Sequence, residues 1–175
     1  MKNNLSKYIK KRIHSSLILK IVLIAFVILL AYGQTLGMYF WNDDNAIIFK
    51  LQHLNEGMGN LGSGIFGFDS PYKMVIFPLV PIYYFFGINS IAFFAYGLFF
   101  YTLAAITVFL FARSVLRNEK QSLLVSLIFA SSLVGAESLW RVYNSVHTSI
   151  TIIYSLLFCT FYFLSIAEKK LREVY

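Results

Sequence analysis

Two adjacent carboxylates, Asp43 and Asp44, stand in the stretch GMYFWNDDNAIIFK, directly after the aromatics Tyr39, Phe40 and Trp41. Paired acids suit two kinds of chemistry. Mutual repulsion raises the pKa of one and keeps it a usable general base, or the two together hold a divalent metal through hard oxygen ligands. The ordinary reading of such a pair is a solvated loop start. Glu137 and Arg141 form a second candidate pair at i and i+4, which on a continuing helix is a plain ion pair. The functional reading instead keeps Arg141, with His147 or Lys73, as an outward cation that binds a phosphate. His53 and His147 lack metal-ligand spacing, and the single cysteine, Cys159, lies inside an apolar run. No Walker loop, zinc spacing, Gly-x-Ser-x-Gly elbow or dinucleotide fingerprint is found, which argues against soluble-nucleotide chemistry.

What must position these residues is a set of membrane spans. Of 175 residues, 58% are hydrophobic, 18% aromatic and only 13% charged, with a mean hydropathy of +0.68, far more apolar than a soluble domain. The composition predicts an all-α integral membrane protein with about four transmembrane helices in a single transmembrane domain. A basic tail (1–16) precedes span 1 (17–36), with Lys20 able to snorkel to the same interface; the run is longer than a signal peptide's apolar core. A polar, Gly-rich outer loop (37–73) leads to a juxtamembrane helix (74–87), too short and too interrupted by Pro78 and Pro81 to cross. Span 2 (88–116), span 3 (121–140, diluted by serines, Gly135 and Glu137), span 4 (149–168) and a cytoplasmic tail (169–175) complete the chain.

The cations set the orientation. Those at the amino terminus, at Arg113, Arg117 and Lys120, and at Lys169, Lys170 and Arg172 share one side, while Lys50, Lys73 and Arg141 fall on the other. Positive charge stays inside, so both termini are expected in the cytoplasm and Asp43, Asp44, Glu137 and Arg141 on the outer face. The net charge of +7 is thus assigned to topology and membrane-lipid contact rather than nucleic acid. No span carries an ionisable group at its centre, which argues against a transporter. The aromatic-rich run FFAYGLFFYT is packing or lipid-facing surface, with a groove for an isoprenoid tail as its functional alternative.

The order of these features resembles the amino-terminal part of the type C membrane glycosyltransferases, the superfamily of protein O-mannosyltransferases and lipid A aminoarabinose transferases. FWNDDNAII is similar to that superfamily's aromatic-x-Asp-Asp followed by an apolar pair, at Asp43 and Asp44; AESLW is similar to its Glu-Ala-Val-x-Trp, at Glu137 and Trp140. The His-Pro expected before the Glu is replaced here by Ser132 and Leu133, and family members carry many more spans. The resemblance implies transfer of a sugar from a polyprenyl-phosphate donor to a hydroxyl of a protein, lipid or glycan acceptor, on the outer face of a cell membrane. That is the bacterial inner membrane, or the ER membrane in a eukaryote. It implies Asp43 as the base, Asp44 as its tuning partner or a donor- or metal-positioning group, and Arg141 or Lys73 at the leaving phosphate. The rival expectation is a small multi-span protein without catalysis, acting as a subunit or remnant.

Overall fold

The computed structural model describes residues 2–40, 43–52, 77–132 and 139–172. Among these every regular element is helical: α1 (Lys2–Tyr32), a 3₁₀ turn (Gly33–Gly37), α2 (Asp43–Gln52), a 3₁₀ turn (Phe77–Leu79), α3 (Val80–Phe86), α4 (Ser90–Leu116), α5 (Glu119–Ala130) and α6 (Val142–Arg172). Three segments are long and apolar enough to cross a membrane: Leu17–Gly37, Ser90–Leu116 and Val146–Ile166. They account for expected spans 1, 2 and 4, and make a multi-pass membrane protein the reading of the fold.

Helix α4 is the hub. Its 27 residues are about 40 Å long at 1.5 Å per residue, enough to exceed a hydrocarbon core of about 30 Å. It starts where Asn89 Oδ1 accepts from the Ala92 N–H at 3.3 Å, the Asn cap that satisfies an otherwise orphan donor. It ends at Arg117, which takes the left-handed conformation at φ 53°. Small residues along α4 (Gly97, Ala104, Ala105, Ala112) are buried and let neighbouring backbones come close.

Three sets of contacts fix α1 and the residues that follow it antiparallel to α4. Lys20 and Arg113 both pair with Glu119 at the basic end, the Arg113 contact at 2.9 Å. The Tyr32 and Tyr101 rings meet edge to face at 5.7 Å, and Phe40 meets Phe93 at 5.4 Å. Helix α6 runs parallel to α4, because Val146 near its start shares a core with Phe93 and Phe94, while Phe163 lies 6.1 Å from Phe111 further along both helices. The apolar side chains that α1 and α6 turn outward, among them Leu19, Phe26, Leu30, Tyr154, Phe158 and Phe161, form the surface a bilayer would cover.

Parallel α4 and α6 oblige the chain between them to return across the same thickness. The expected span 121–140 is described only in part. Helix α5 is only 12 residues, about 18 Å, and it stops at Ala130; residues 133–138 lie outside the described set. It starts well, with Asn118 Oδ1 accepting from the N–H groups of Lys120 and Gln121, and it is tied to α4 by Ser126 Oγ donating to the Ala105 carbonyl at 2.7 Å. At its end Ser131 Oγ donates to the Leu127 carbonyl and Ser132 Oγ to the Phe129 carbonyl. Such back-bonding competes with further helix.

The basic tail ahead of the span Leu17–Gly37 is helical too, since α1 starts at Lys2. At the carboxyl end α6 continues to Arg172. Within the expected juxtamembrane helix (74–87), Phe77–Phe86 is helical, with Pro81 in the first turn of α3, where a missing N–H costs nothing; residues 74–76 lie outside the described residues. It ends at Gly87, whose φ of 58° suits a residue without a Cβ.

Candidate functional site

The acidic pair does not lie in a loop. Asp43 and Asp44 open α2, a helix inside the segment expected to be irregular. Acidic residues in a first helical turn complement the positive end of the helix dipole. Asp44, Ile47, Ile48 and Leu51 follow one another at i, i+3, i+4 and i+7, the spacing of one helix face, and all four are buried. The three apolar members join Leu79, Ile82, Phe93, Phe94 and Val146 in one core cluster. Asp44 is thereby drawn into the protein, 2% exposed, and it is not left without an interaction. Asp43 stands at the very start of the same helix.

Helix α2 packs near the amino-terminal end of α6. The structure therefore brings four of the expected site residues to one end of the bundle: Asp43 and Asp44 on α2, Arg141 just ahead of α6, and His147 in the first turns of α6. Arg141 is exposed and engaged in an interaction of its own. His147 is exposed, and its backbone carbonyl accepts from Thr151 Oγ1 at 2.9 Å. Trp140 is exposed at the same end. Lys73 and Glu137, the remaining expected site residues, lie outside the described residues, so the Glu137–Arg141 pair does too. Among the described residues no group of three or more His, Cys, Asp or Glu is placed to hold a metal ion.

The opposite end carries a different arrangement. Glu119 at the start of α5 is shared by Lys20 and Arg113. The hydrogen bond from Lys20, outweighing a smaller opposing effect of burial, holds its carboxyl below the usual carboxylate range, with the charges of Lys20 and Arg113 acting in the same sense. This ion triad joins α1, α4 and α5. Lys20 signals it only in part, because its snorkelling was legible while its acidic partner, 99 residues away, was not.

A third polar arrangement lies between the two ends and was not expected. The Tyr32 hydroxyl donates to the Ser132 carbonyl at 2.5 Å, and the Tyr101 hydroxyl donates to the Phe129 carbonyl at 2.8 Å. Thr35 Oγ1 donates back to the Tyr32 carbonyl at 2.8 Å. The carboxyl ends of α1 and α5 thus finish at the same level, and side-chain hydroxyls supply donors for carbonyls that the last helical turns leave open.

Compared with protein-family models, curated proteins and solved structures, the chain matches none. The reading of the site accordingly rests on the chain's own residues.

Proposed function

We propose that the chain is a type C membrane glycosyltransferase, or the amino-terminal part of one. It would transfer a sugar from a polyprenyl-phosphate donor to an acceptor hydroxyl at the outer membrane surface. The observation that carries this reading is the position of the acidic pair. Asp43 and Asp44 sit at the start of a short helix at the end of the bundle away from Arg113, Arg117 and Lys120. If positive charge marks the cytoplasm, that end faces outward, where a lipid-linked sugar phosphate and its acceptor would meet. The burial of Asp44 divides the roles: Asp43 serves as the general base, and Asp44 anchors the first turn of α2 beneath it. Arg141, exposed at the same end, is the cation this reading assigns to a leaving phosphate.

One observation favours a second reading. Asp44 is buried on the apolar face of α2 and partnered there, so the pair can serve packing alone, as in a non-catalytic membrane subunit.

The test is sugar transfer in membranes containing the chain, supplied with a radiolabelled mixture of polyprenyl-phosphate sugars, with Asp43→Asn and Asp44→Asn compared. The transferase reading expects Asp43→Asn to lower transfer by about 10²- to 10⁴-fold for loss of a general base, with a stability loss of no more than about 1 kcal/mol from the helix dipole. Transfer that survives Asp43→Asn, or a topology map placing Asp43 in the cytoplasm, overturns it. No transfer by the parent chain, with Asp44→Asn only destabilising, supports the subunit reading.

A further inference from the structure

The three spans turn different surfaces outward. On α1 every exposed position from 18 to 30 is Ile, Leu, Val or Phe, and on α4 every exposed position from 91 to 116 is Ile, Ala, Phe, Leu or Val. Faces of that composition suit lipid tails. Helix α6 departs from the pattern. Among its exposed residues from 151 to 166, Thr151, Tyr154, Ser155, Tyr162 and Ser165 carry hydroxyls. Polar side chains of a spanning helix ordinarily face protein or water, and Ser and Thr are enriched where spans touch. Ser149, buried with Val146 on the side of α6 that packs in the bundle, follows that rule. The five outward hydroxyls do not, on the least buried of the three spans.

Their spacing is also regular. Thr148, Thr151, Ser155, Phe158, Tyr162 and Ser165 follow one another in alternating steps of three and four, the a and d positions of a left-handed helix pair, whose crossing of about 20° is common in membranes. The seam is about 26 Å long at 1.5 Å per residue, most of a hydrocarbon core of about 30 Å. Thr151 and Ser165 donate to carbonyls of their own helix, those of His147 and Phe161, which leaves each oxygen able to accept. The seam lies apart from the points where the undescribed segments attach. Residues 41–42 and 53–76 join elements at the acidic end, and 133–138 join Ser132, bonded to Tyr32, to Leu139 in the cluster around α1 and α5. Ser155 and Ser165 are about 14 and 28 Å along α6 from Val146, which marks the acidic end.

We infer that α6 packs along this seam, in parallel, against α6 of a second copy of the chain. Copies inserted with the same end in the cytoplasm run their α6 helices in the same direction, so a two-fold axis along the membrane normal sets each seam residue opposite itself. A hydroxyl is both donor and acceptor, so each of these residues is complementary to its own copy. A charge on the seam would instead meet its like, and no charged residue lies between Thr148 and Ser165. The inference does not depend on the transferase reading, and its test needs no enzymatic activity.

The test is disulfide formation between single-cysteine variants of the full chain in a Cys159→Ala background, in bilayers at low protein-to-lipid ratio, with iodine as a membrane-soluble oxidant. Ser155→Cys and Phe158→Cys probe the seam. Leu164→Cys, 53% exposed on α6 but off the seam, and Leu30→Cys, 70% exposed on α1, are the standards for random collision. A disulfide needs Cβ atoms about 3.5–4.5 Å apart, so the seam cysteines are expected to link two copies at least about tenfold faster than the standards. Adding Thr151→Val and Ser155→Ala to Phe158→Cys removes two seam hydroxyls with little change of shape, and is expected to slow its cross-linking by about threefold or more. The inference is overturned if seam and standard cysteines cross-link at one rate, or if the seam cysteines form no dimer because lipid or a helix of another protein covers them. An undiminished rate without the two hydroxyls overturns the pairing that selects a second copy. Full modification of every variant by a maleimide after denaturation in dodecyl sulfate shows that slow cross-linking reports the geometry and not loss of the thiol.

Discussion

Removing one hydroxyl from each of the two tyrosines at the mid-depth level gives unequal losses, and the inequality can be worked out in advance. Tyr32→Phe and Tyr101→Phe both keep the ring and its edge-to-face contact, so each deletes only a hydroxyl. The acceptors differ. The Phe129 carbonyl receives Tyr101 Oη at 2.8 Å, and also Ser132 Oγ at 2.9 Å and the Ser132 N–H at 3.2 Å. Without Tyr101 it keeps two donors, and the cost is that of one redundant hydrogen bond in a membrane protein, about 0.5 kcal/mol. The Ser132 carbonyl receives Tyr32, its one donor among the described residues. Without it a part-buried carbonyl at membrane depth loses its partner, at about 1–2 kcal/mol. The assay is equilibrium unfolding in mixed micelles by increasing dodecyl sulfate, followed by far-UV circular dichroism. Tyr32→Phe is expected to shift the folding equilibrium by about 5- to 30-fold, and Tyr101→Phe by about twofold. Equal losses, or a larger loss at Tyr101, would refute the assignment of these hydroxyls as donors to the α5 carbonyls.

Three further outcomes follow from the geometry. Glu119 is held below its ordinary pKa by Lys20 and Arg113, so its contribution is fully present above the unfolded value of about 4.3 and is lost as pH falls through the lower folded value. Glu119→Gln should flatten the stability profile in that acid window, by well under about 1 kcal/mol because the side chain is exposed, and added salt should mimic it. Asn118→Ala removes the side-chain acceptor for Lys120 and Gln121 and is expected to cost about 1 kcal/mol in the same unfolding assay. Gly87→Ala meets no neighbour within 4 Å. It must nevertheless hold φ 58° and ψ −140°, so a cost of about 1–2 kcal/mol there measures backbone strain alone.

Much of the fold was legible because span length and cation placement are local signals. The apolar runs around 17–36, 88–116 and 149–168 each became a long helix, with ends displaced by caps at Asn89 and Gly87 and by the helical continuation of α1 and α6 into their basic flanks. Helix α2 was legible too, though it was read as loop. Asp43 and Asp44 mark a helix start, and Ile47, Ile48 and Leu51 recur at helical spacing. Apart from Gly37, the glycines of the expected loop all come later, beyond residue 52. The burial of Asp44 could have been taken from the same spacing. The breaks at Tyr32 and Ala130 could not, because nothing around Tyr32 announces that a tyrosine on α4 and a carbonyl on the far side of α5 will meet it. That arrangement exists only in the packed bundle.

The two broken helices and the acidic end bear on one another through a single constraint. Because α4 and α6 run in parallel, the chain between them must climb back from the basic end to the acidic end, and a continuous α5 would fill that path with apolar helix. In the half of the bundle nearest α2 the described residues are the Gly33–Gly37 turn, residues 38–40, α2, the Phe77–Leu79 turn, α3 and the first turns of α4 and α6. Unsealed carbonyls at that depth would cost more than the broken helices could recover. The hydroxyls of Tyr32, Thr35, Tyr101 and Ser132 remove that cost at the level where both helices end. Those hydroxyls lie between two apolar clusters: Ile24, Ile28, Ala105 and Phe109 belong to the one toward the basic end, and Ile47, Ile48, Leu51, Phe93 and Val146 to the one beneath the start of α2.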